Sequence, residues 1–157
     1  MKIKTLTDYP NQEALARQLE ELVETAFTEG VSWNYQAFIS DFHSQFARYF
    51  LLEEDGNIIG LVNGHQLFDE FELFLLAIHP DFRKKGLATY LFQSMEDQLQ
   101  KQKVQQILLE VRVSNQRALK LYEQFSFERY HIRKNYYEQP VEDAWLLRKR
   151  VKEQTHG

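Results

Sequence analysis

Apolar residues recur along this chain at two spacings, and the switch from one to the other marks out its elements. Residues 1–6 set Ile3 between Lys2 and Lys4, the alternation of a first strand. Over 11–28, Leu15, Leu19, Leu22, Val23, Ala26 and Phe27 fall at helical spacing, and Gly30 is the expected stop. A shorter helix should follow Asn34, with Phe38, Phe42 and Phe46 four residues apart. Residues 49–54 and 57–67 read as two strands around Asp55-Gly56, a strong hairpin signal. The stretch 71–78 is apolar enough for a strand covered on both faces, and Pro80 ends it. Leu87, Leu91, Met95 and Leu99 predict an amphipathic helix over 87–102, and 105–111 is another apolar strand. Ala118, Leu121, Tyr122 and Phe125 mark a short helix, and 128–135 with 143–150 form a closing hairpin whose loop holds Pro140. The order is β-α-α-β-β-β-α-β-α-β-β. It predicts a mixed α/β sheet, mostly antiparallel and flanked by helices, with one strand–helix–strand crossover whose strands run parallel.

No internal repeat, low-complexity run or linker-like segment interrupts that order, so residues 1–157 are expected to form a single domain. Aromatic residues make up 14% of the chain against only 6 Gly and 3 Pro, which argues against a disordered or collagen-like chain. The 19 Lys and Arg against 23 Asp and Glu leave a formal charge of −4, the wrong sign for a general nucleic-acid binder. The lack of cysteine removes disulfides, thiolate metal sites and a cysteine nucleophile. His43, His65, His79, His131 and His156 show no metal-ligand spacing, so no metal is expected. Residues 1–10 lack the apolar core of a signal peptide, and the longest apolar stretch, 73–78, is far short of a membrane span. A cytoplasmic protein without a membrane partner is the expectation.

Candidate chemistry concentrates in Ile78-His79-Pro80-Asp81-Phe82-Arg83-Lys84-Lys85-Gly86-Leu87-Ala88. A buried strand ends there, a basic loop follows, and a helix opens at Gly86. The first N–H groups of a helix have no partner within it and carry partial positive charge, which suits phosphate oxygens. Gly86 lets a ligand approach the backbone where a Cβ would block it. Arg83, Lys84 and Lys85 add cations beside it. The plainer reading is a basic surface loop that merely leads into a helix. No Gly-Lys-Ser/Thr ending and no Gly-x-Gly-x-x-Gly fingerprint is present, so the two commonest nucleotide motifs fail.

Arg83-x-x-Gly86-x-Ala88 resembles the pyrophosphate-cradling motif of the GCN5-related N-acetyltransferase (GNAT) superfamily. Asn115…Ala118-x-x-Leu121-Tyr122-x-x-Phe125-x-Phe127 is similar to that family's second block, with Ser126 in place of its usual glycine. Within the family, Leu109-Glu110-Val111-Arg112-x-Ser114-Asn115, Arg133-x-Asn135-Tyr136-Tyr137, Glu142-Asp143-Ala144 and Ser32-Trp33 look like the bacterial ribosomal-protein alanine N-acetyltransferases (RimI type). The departures are His79, where aspartate is usual, and a shorter loop over 139–142. The resemblance implies a GNAT fold and acetyl-CoA as co-substrate. The backbone of Leu76, Ala77 and Ile78 would hold the thioester and pantetheine. Arg83, Lys84, Lys85, Gly86, Leu87, Ala88 and Thr89 would hold the pyrophosphate, and Asn115 the pantetheine arm. It also implies Glu110 as general base, Tyr122 as general acid, and Trp33, Tyr136 and Tyr137 on the acceptor side.

Each residue has a plainer role beside that one. Glu110 lies in an otherwise apolar strand and could pair with Arg112, two residues on along the same face. Tyr122 falls on a helix stripe and could be core. Ser114 or Asn115 suits an N-cap. Adjacent Tyr136 and Tyr137 would face opposite sides of a strand, one of them in a cross-strand pair. The reading is an acetyl-CoA-dependent enzyme that acetylates a protein N-terminal α-amine, with a ribosomal protein starting in Ala implied by the resemblance. A small amine such as a polyamine, amino acid or antibiotic is the second possibility, and a coenzyme A-binding module without turnover the third.

Overall fold

The computed structural model of the chain describes residues 1–27 and 33–151. The expected helix stop at Gly30, the Ser32 of the Ser32-Trp33 pair and His156 lie outside the described residues. The elements are β1 (Lys2–Lys4), α1 (Gln12–Ala26), α2 (Tyr35–Phe42), β2 (Ala47–Glu54), β3 (Asn57–Leu67) and β4 (Glu70–Ile78). They continue with α3 (Leu87–Lys101), β5 (Gln106–Arg112), α4 (Gln116–Gln124), β6 (Glu128–Glu138) and β7 (Val141–Arg150). The expected order holds throughout. Phe46 is the exception within the α2 pattern: the chain turns at Asp41–Ser44, and Phe46 sits outside the helix and exposed.

Local chemistry explains where the helices begin. Asn11, Asn34 and Asn115 cap α1, α2 and α4, each side-chain oxygen accepting the N–H three residues on, at 3.0, 2.9 and 3.1 Å. Helix α3 differs. Its cap is Gly86 in the left-handed region at φ +74°, with no side chain to accept from the first turn.

Seven strands form one sheet in the order β1-β2-β3-β4-β5-β7-β6, antiparallel except for β4 with β5. Side chains alternate across it, so each face has its own core. On one face Leu15, Leu19, Val23 and Phe38 of α1 and α2 pack on Tyr49, Leu51, Leu61 and Ala77. On the other, Leu91, Met95 and Leu99 of α3 and Leu119 and Tyr122 of α4 pack on Phe50, Val62, Leu76, Ile107 and Leu109.

The sheet divides at its parallel pair. Strands β4 and β5 are in register only over Glu70–Glu72 and Gln106–Leu108, though both run on to Ile78 and Arg112. A β-bulge in the β3–β4 pairing coincides with the split. There the buried Asn63 side chain accepts the Leu75 N–H at 3.0 Å, a bond the ladder no longer supplies. Gly64 makes the close approach possible, because a Cβ on it would come within 2.1 Å of the Glu72 carbonyl oxygen. Beyond the bulge β4 stays with β3, whereas β5 stays with β7 as far as Arg112↔Ala144. The result is a V-shaped gap that widens toward the C-terminal ends of both strands.

Candidate active site

The gap has donors along one wall. The His79 N–H donates to the Ile59 carbonyl at 2.8 Å, so alternation turns the Ala77 N–H toward β3 and the N–H groups of Leu76 and Ile78 into the gap. No strand partner stands opposite those two, because the pairing with β5 ends at Glu72. Of the three residues expected to serve through their backbones, Leu76 and Ile78 are thus aimed at the gap and Ala77 is not.

At the mouth, the loop after β4 leads into the uncapped turn of α3. The first-turn N–H groups at Leu87, Ala88 and Thr89 have no capping side chain, and a Cβ built on Gly86 meets nothing within 4 Å. Lys84 and Lys85 are exposed there, Lys84 at φ +64° and Lys85 with its Nζ 5.4 Å from the Phe82 ring centre. Arg83 is turned partly inward. Its Nε donates to the Ile78 carbonyl at 3.3 Å and its other end to the Ala26 carbonyl, so it ties the loop to β4 and α1 as well as adding charge. Burial, and then the neighbouring Arg117, push its pKa below the usual guanidinium value. Arg117 on the first turn of α4 is a cation of this region that no sequence motif singles out. By contrast, a cleft of about 400 Å³ between α1 and the β2–β3 turn includes Glu21, Glu54, Asp55 and Asp81 in its walls. Those carboxylates would repel phosphate.

Glu110 and Tyr122 lie on opposite faces of the sheet. Ile107, Leu109 and Val111 belong to the core under α3 and α4, so Leu108, Glu110 and Arg112 point to the other side. The expected Glu110–Arg112 pair does not form. Glu110 instead pairs with Arg133 at 3.4 Å, and the same carboxylate raises the pKa of the Tyr136 hydroxyl, while Arg112 pairs with Glu142 at 3.3 Å. Tyr122 lies in the core beneath α4, its ring 5.4 Å from Phe127 in an edge-on contact. Burial raises its hydroxyl pKa, so at neutral pH it carries its proton.

Tyr136 and Tyr137 do not alternate as expected. The β6–β7 register jumps between Arg133↔Ala144 and Tyr137↔Glu142, and Asn135 in the bulge adopts φ +52°. Both rings consequently meet edge to face, centres 5.1 Å apart, with Arg133 5.0 Å from the Tyr136 ring and Arg112 4.1 Å from the Tyr137 ring. Trp33 is half-buried on the α1–α2 face, 5.8 Å from Phe74 of β4. Two further groups belong here that the one-dimensional pattern does not flag. Glu72 sits on the Glu110 face, its pKa raised by partial burial and then by the Glu110 charge. His65 lies edge-on to Phe74 at 4.8 Å and is held by Asp41 at 2.5 Å. Asn115 is the N-cap of α4, which takes its Oδ1. Among the described residues no group of three or more metal-ligating side chains occurs, and no helix is long and apolar enough to cross a membrane.

A strand gap with inward N–H groups, followed by an uncapped helix turn in a basic loop, has the donors and charge that a pyrophosphate joined to an extended arm requires. Residues 14–127 match the model of the acetyltransferase (GNAT) family. The chain belongs to the GNAT family. This GNAT protein is an N-acetyltransferase, and acetyl-CoA is its co-substrate. It is 36% identical over 107 residues to the ribosomal protein bS18-alanine N-acetyltransferase of Escherichia coli (strain K12), covering 67% of this chain and 70% of that one. The crystal structure of the ribosomal-protein-S18-alanine N-acetyltransferase from Escherichia coli superposes with a TM-score of 0.81 at 26% identity, over 99% of this chain and 97% of that one. An aminoglycoside 6'-N-acetyltransferase complexed with coenzyme A shares the fold, with a TM-score of 0.79 at 13% identity over 99% of both chains.

Proposed function

We propose that residues 1–157 form one N-acetyltransferase domain that acetylates the N-terminal α-amine of a protein, with a ribosomal protein beginning in Ala as the acceptor. The observation that carries this reading is the grouping of Tyr136, Tyr137 and Arg133 around Glu110, on the same sheet face as the α1–α2 core where Trp33 packs on Phe74, with Tyr122 in the core of the other face. The likeness to alanine N-acetyltransferases supports the choice of acceptor. The reading puts the enzyme in the cytoplasm, where ribosomal proteins are made.

Acetyl-CoA supplies an activated acetyl thioester. Leu76 binds the extended arm through its gap-facing N–H group while the Ile78 N–H faces the thioester carbonyl, and the Asn115 amide NH2, not used in capping, is available to the same arm. The Gly86–Thr89 turn, with Lys84, Lys85 and Arg83, holds the pyrophosphate. An α-amine has a pKa of about 7.7–8.0 and is largely protonated at pH 7, so it must lose a proton before it attacks. Glu110 accepts that proton, directly or through a water. As the amine adds to the carbonyl carbon, the Ile78 N–H donates to the oxygen on which negative charge develops. Tyr122, kept neutral by burial, gives its proton to the departing sulfur. With no cysteine in the chain, no acyl-cysteine relay intervenes.

A small polyamine is the second reading, favoured by the neighbouring Glu72 and Glu110 carboxylates, which suit a multiply charged amine. The test is acetyl transfer from labelled acetyl-CoA to three acceptors: an Ala-starting ribosomal peptide, the same peptide with a blocked N-terminus, and a polyamine panel. Label on the free peptide alone is the expected result. Label on polyamines alone would refute the N-terminal assignment and leave the coenzyme chemistry standing.

A further inference from the structure

Glu142 touches both halves of the site without facing the gap itself. One carboxylate oxygen accepts the Ser114 N–H at 2.7 Å, at the β5–α4 turn next to the Asn115 cap. The other receives Arg112 at 3.3 Å, and that guanidinium also donates to the Pro140 carbonyl at 3.3 Å. Arg112 in turn lies 4.1 Å from the Tyr137 ring, which meets Tyr136 edge to face, and the Glu110 carboxylate raises the pKa of the Tyr136 hydroxyl. The next residue completes the brace: Asp143 accepts the Asn135 N–H at 2.8 Å inside the β6 bulge, and its carbonyl takes the Val113 N–H at 3.1 Å. The Glu142 side chain is only 14% exposed, and Ser114 followed by Arg112 hold its carboxyl below the usual range. An anion so placed fixes a cation that would otherwise swing with the hairpin.

We propose that Glu142 is a positioning residue for the acceptor: by clamping Arg112 under Tyr137 it sets the two tyrosines over Glu110 and ties the β6–β7 bulge to the β5–α4 turn. This rests on the reading that Tyr136 and Tyr137 receive a peptide N-terminus. The β6–β7 pairing skips residues 134–136 and resumes at Tyr137↔Glu142, so the ladder places the Tyr137 backbone but does not pair Tyr136 and does not fix either ring. The Arg112–Glu142 pair supplies the missing constraint. Its loss should therefore weaken acceptor capture while the acetyl-CoA wall, made by β4 and the α3 turn, is undisturbed.

Glu142→Gln keeps an oxygen for Ser114 but gives up the charge that holds Arg112, and Arg112→Gln removes the clamp from the other side. Steady-state rates with the Ala-starting peptide, calorimetric coenzyme A affinity and the thermal midpoint are measured for wild type, both single variants and the double variant. Each single change should raise the peptide KM roughly tenfold, as expected for displaced positioning groups, with coenzyme A affinity held within about twofold. The double variant should be little worse than either single one, the non-additivity of residues acting as a unit. A wild-type peptide KM in Glu142→Gln would overturn the proposal. So would a parallel loss of coenzyme A affinity and thermal stability, which marks general loosening. Failure of the wild-type enzyme to acetylate the peptide would remove the acceptor reading itself, and this proposal with it.

Discussion

Replacing Gly86 by Ala separates backbone conformation from ligand approach. Gly86 caps α3 at φ +74°, a region that costs an L-residue about 1–2 kcal/mol. A Cβ there meets nothing within 4 Å, so no clash adds to that cost. For a domain of this size, about 1–2 kcal/mol lowers the midpoint by roughly 2–8 °C. Gly56, in the β2–β3 turn at φ +82°, also has open space around its Cβ, and Gly56→Ala should lower the midpoint similarly. The two variants should part company in ligand binding. At Gly86 the new methyl stands at the mouth of the uncapped turn, where it separates pyrophosphate oxygens from the N–H groups of Leu87, Ala88 and Thr89. Coenzyme A affinity should fall about tenfold or more, equivalent to about 1.4 kcal/mol or more. Calorimetric titration and thermal unfolding of both variants make the test. Wild-type affinity in Gly86→Ala, or an equal loss in Gly56→Ala, would refute the assignment of this turn to the pyrophosphate.

Two further expectations concern proton chemistry. Glu110→Gln should lower kcat by roughly 10²-fold or more while coenzyme A affinity stays unchanged, and equal turnover in rate assays would remove Glu110 as the base. Burial raises the Tyr49 and Tyr122 hydroxyls in the folded state, so the folded chain retains protons that the unfolded chain releases above about pH 10. Stability should therefore be at its full value below that pH and decline as pH climbs beyond it, as denaturant titrations at pH 7, 9 and 11 will report.

Much of the site's coenzyme half was legible from local pattern. A strand followed by basic residues and a glycine at a helix start is a contiguous signal, and β4, the basic loop and the glycine-capped turn of α3 follow one another in that order. Arg83 is the partial exception, since the carbonyls that receive it belong to Ala26, far away in the chain, and Ile78. The acceptor half was less legible. The partner of Glu110 is Arg133 rather than Arg112, because the closing hairpin brings its own cation across β5. Tyr136 and Tyr137 share one region because a bulge breaks the alternation that adjacent strand residues otherwise obey.

The order of elements, the asparagine caps of α1, α2 and α4, and the open glycine start of α3 are properties of residues close together in the chain. Periodicity and capping are local, and the sequence by itself determined them. The division of the sheet between β4 and β5, the placement of Glu110 and Tyr122 on opposite faces, and the contacts that run from Ser114 through Glu142 and Arg112 to Tyr137 were decided only by the tertiary structure. Each depends on strand registers and on which distant side chains share a face. Those follow from packing two cores against one twisted sheet, not from any single run of residues.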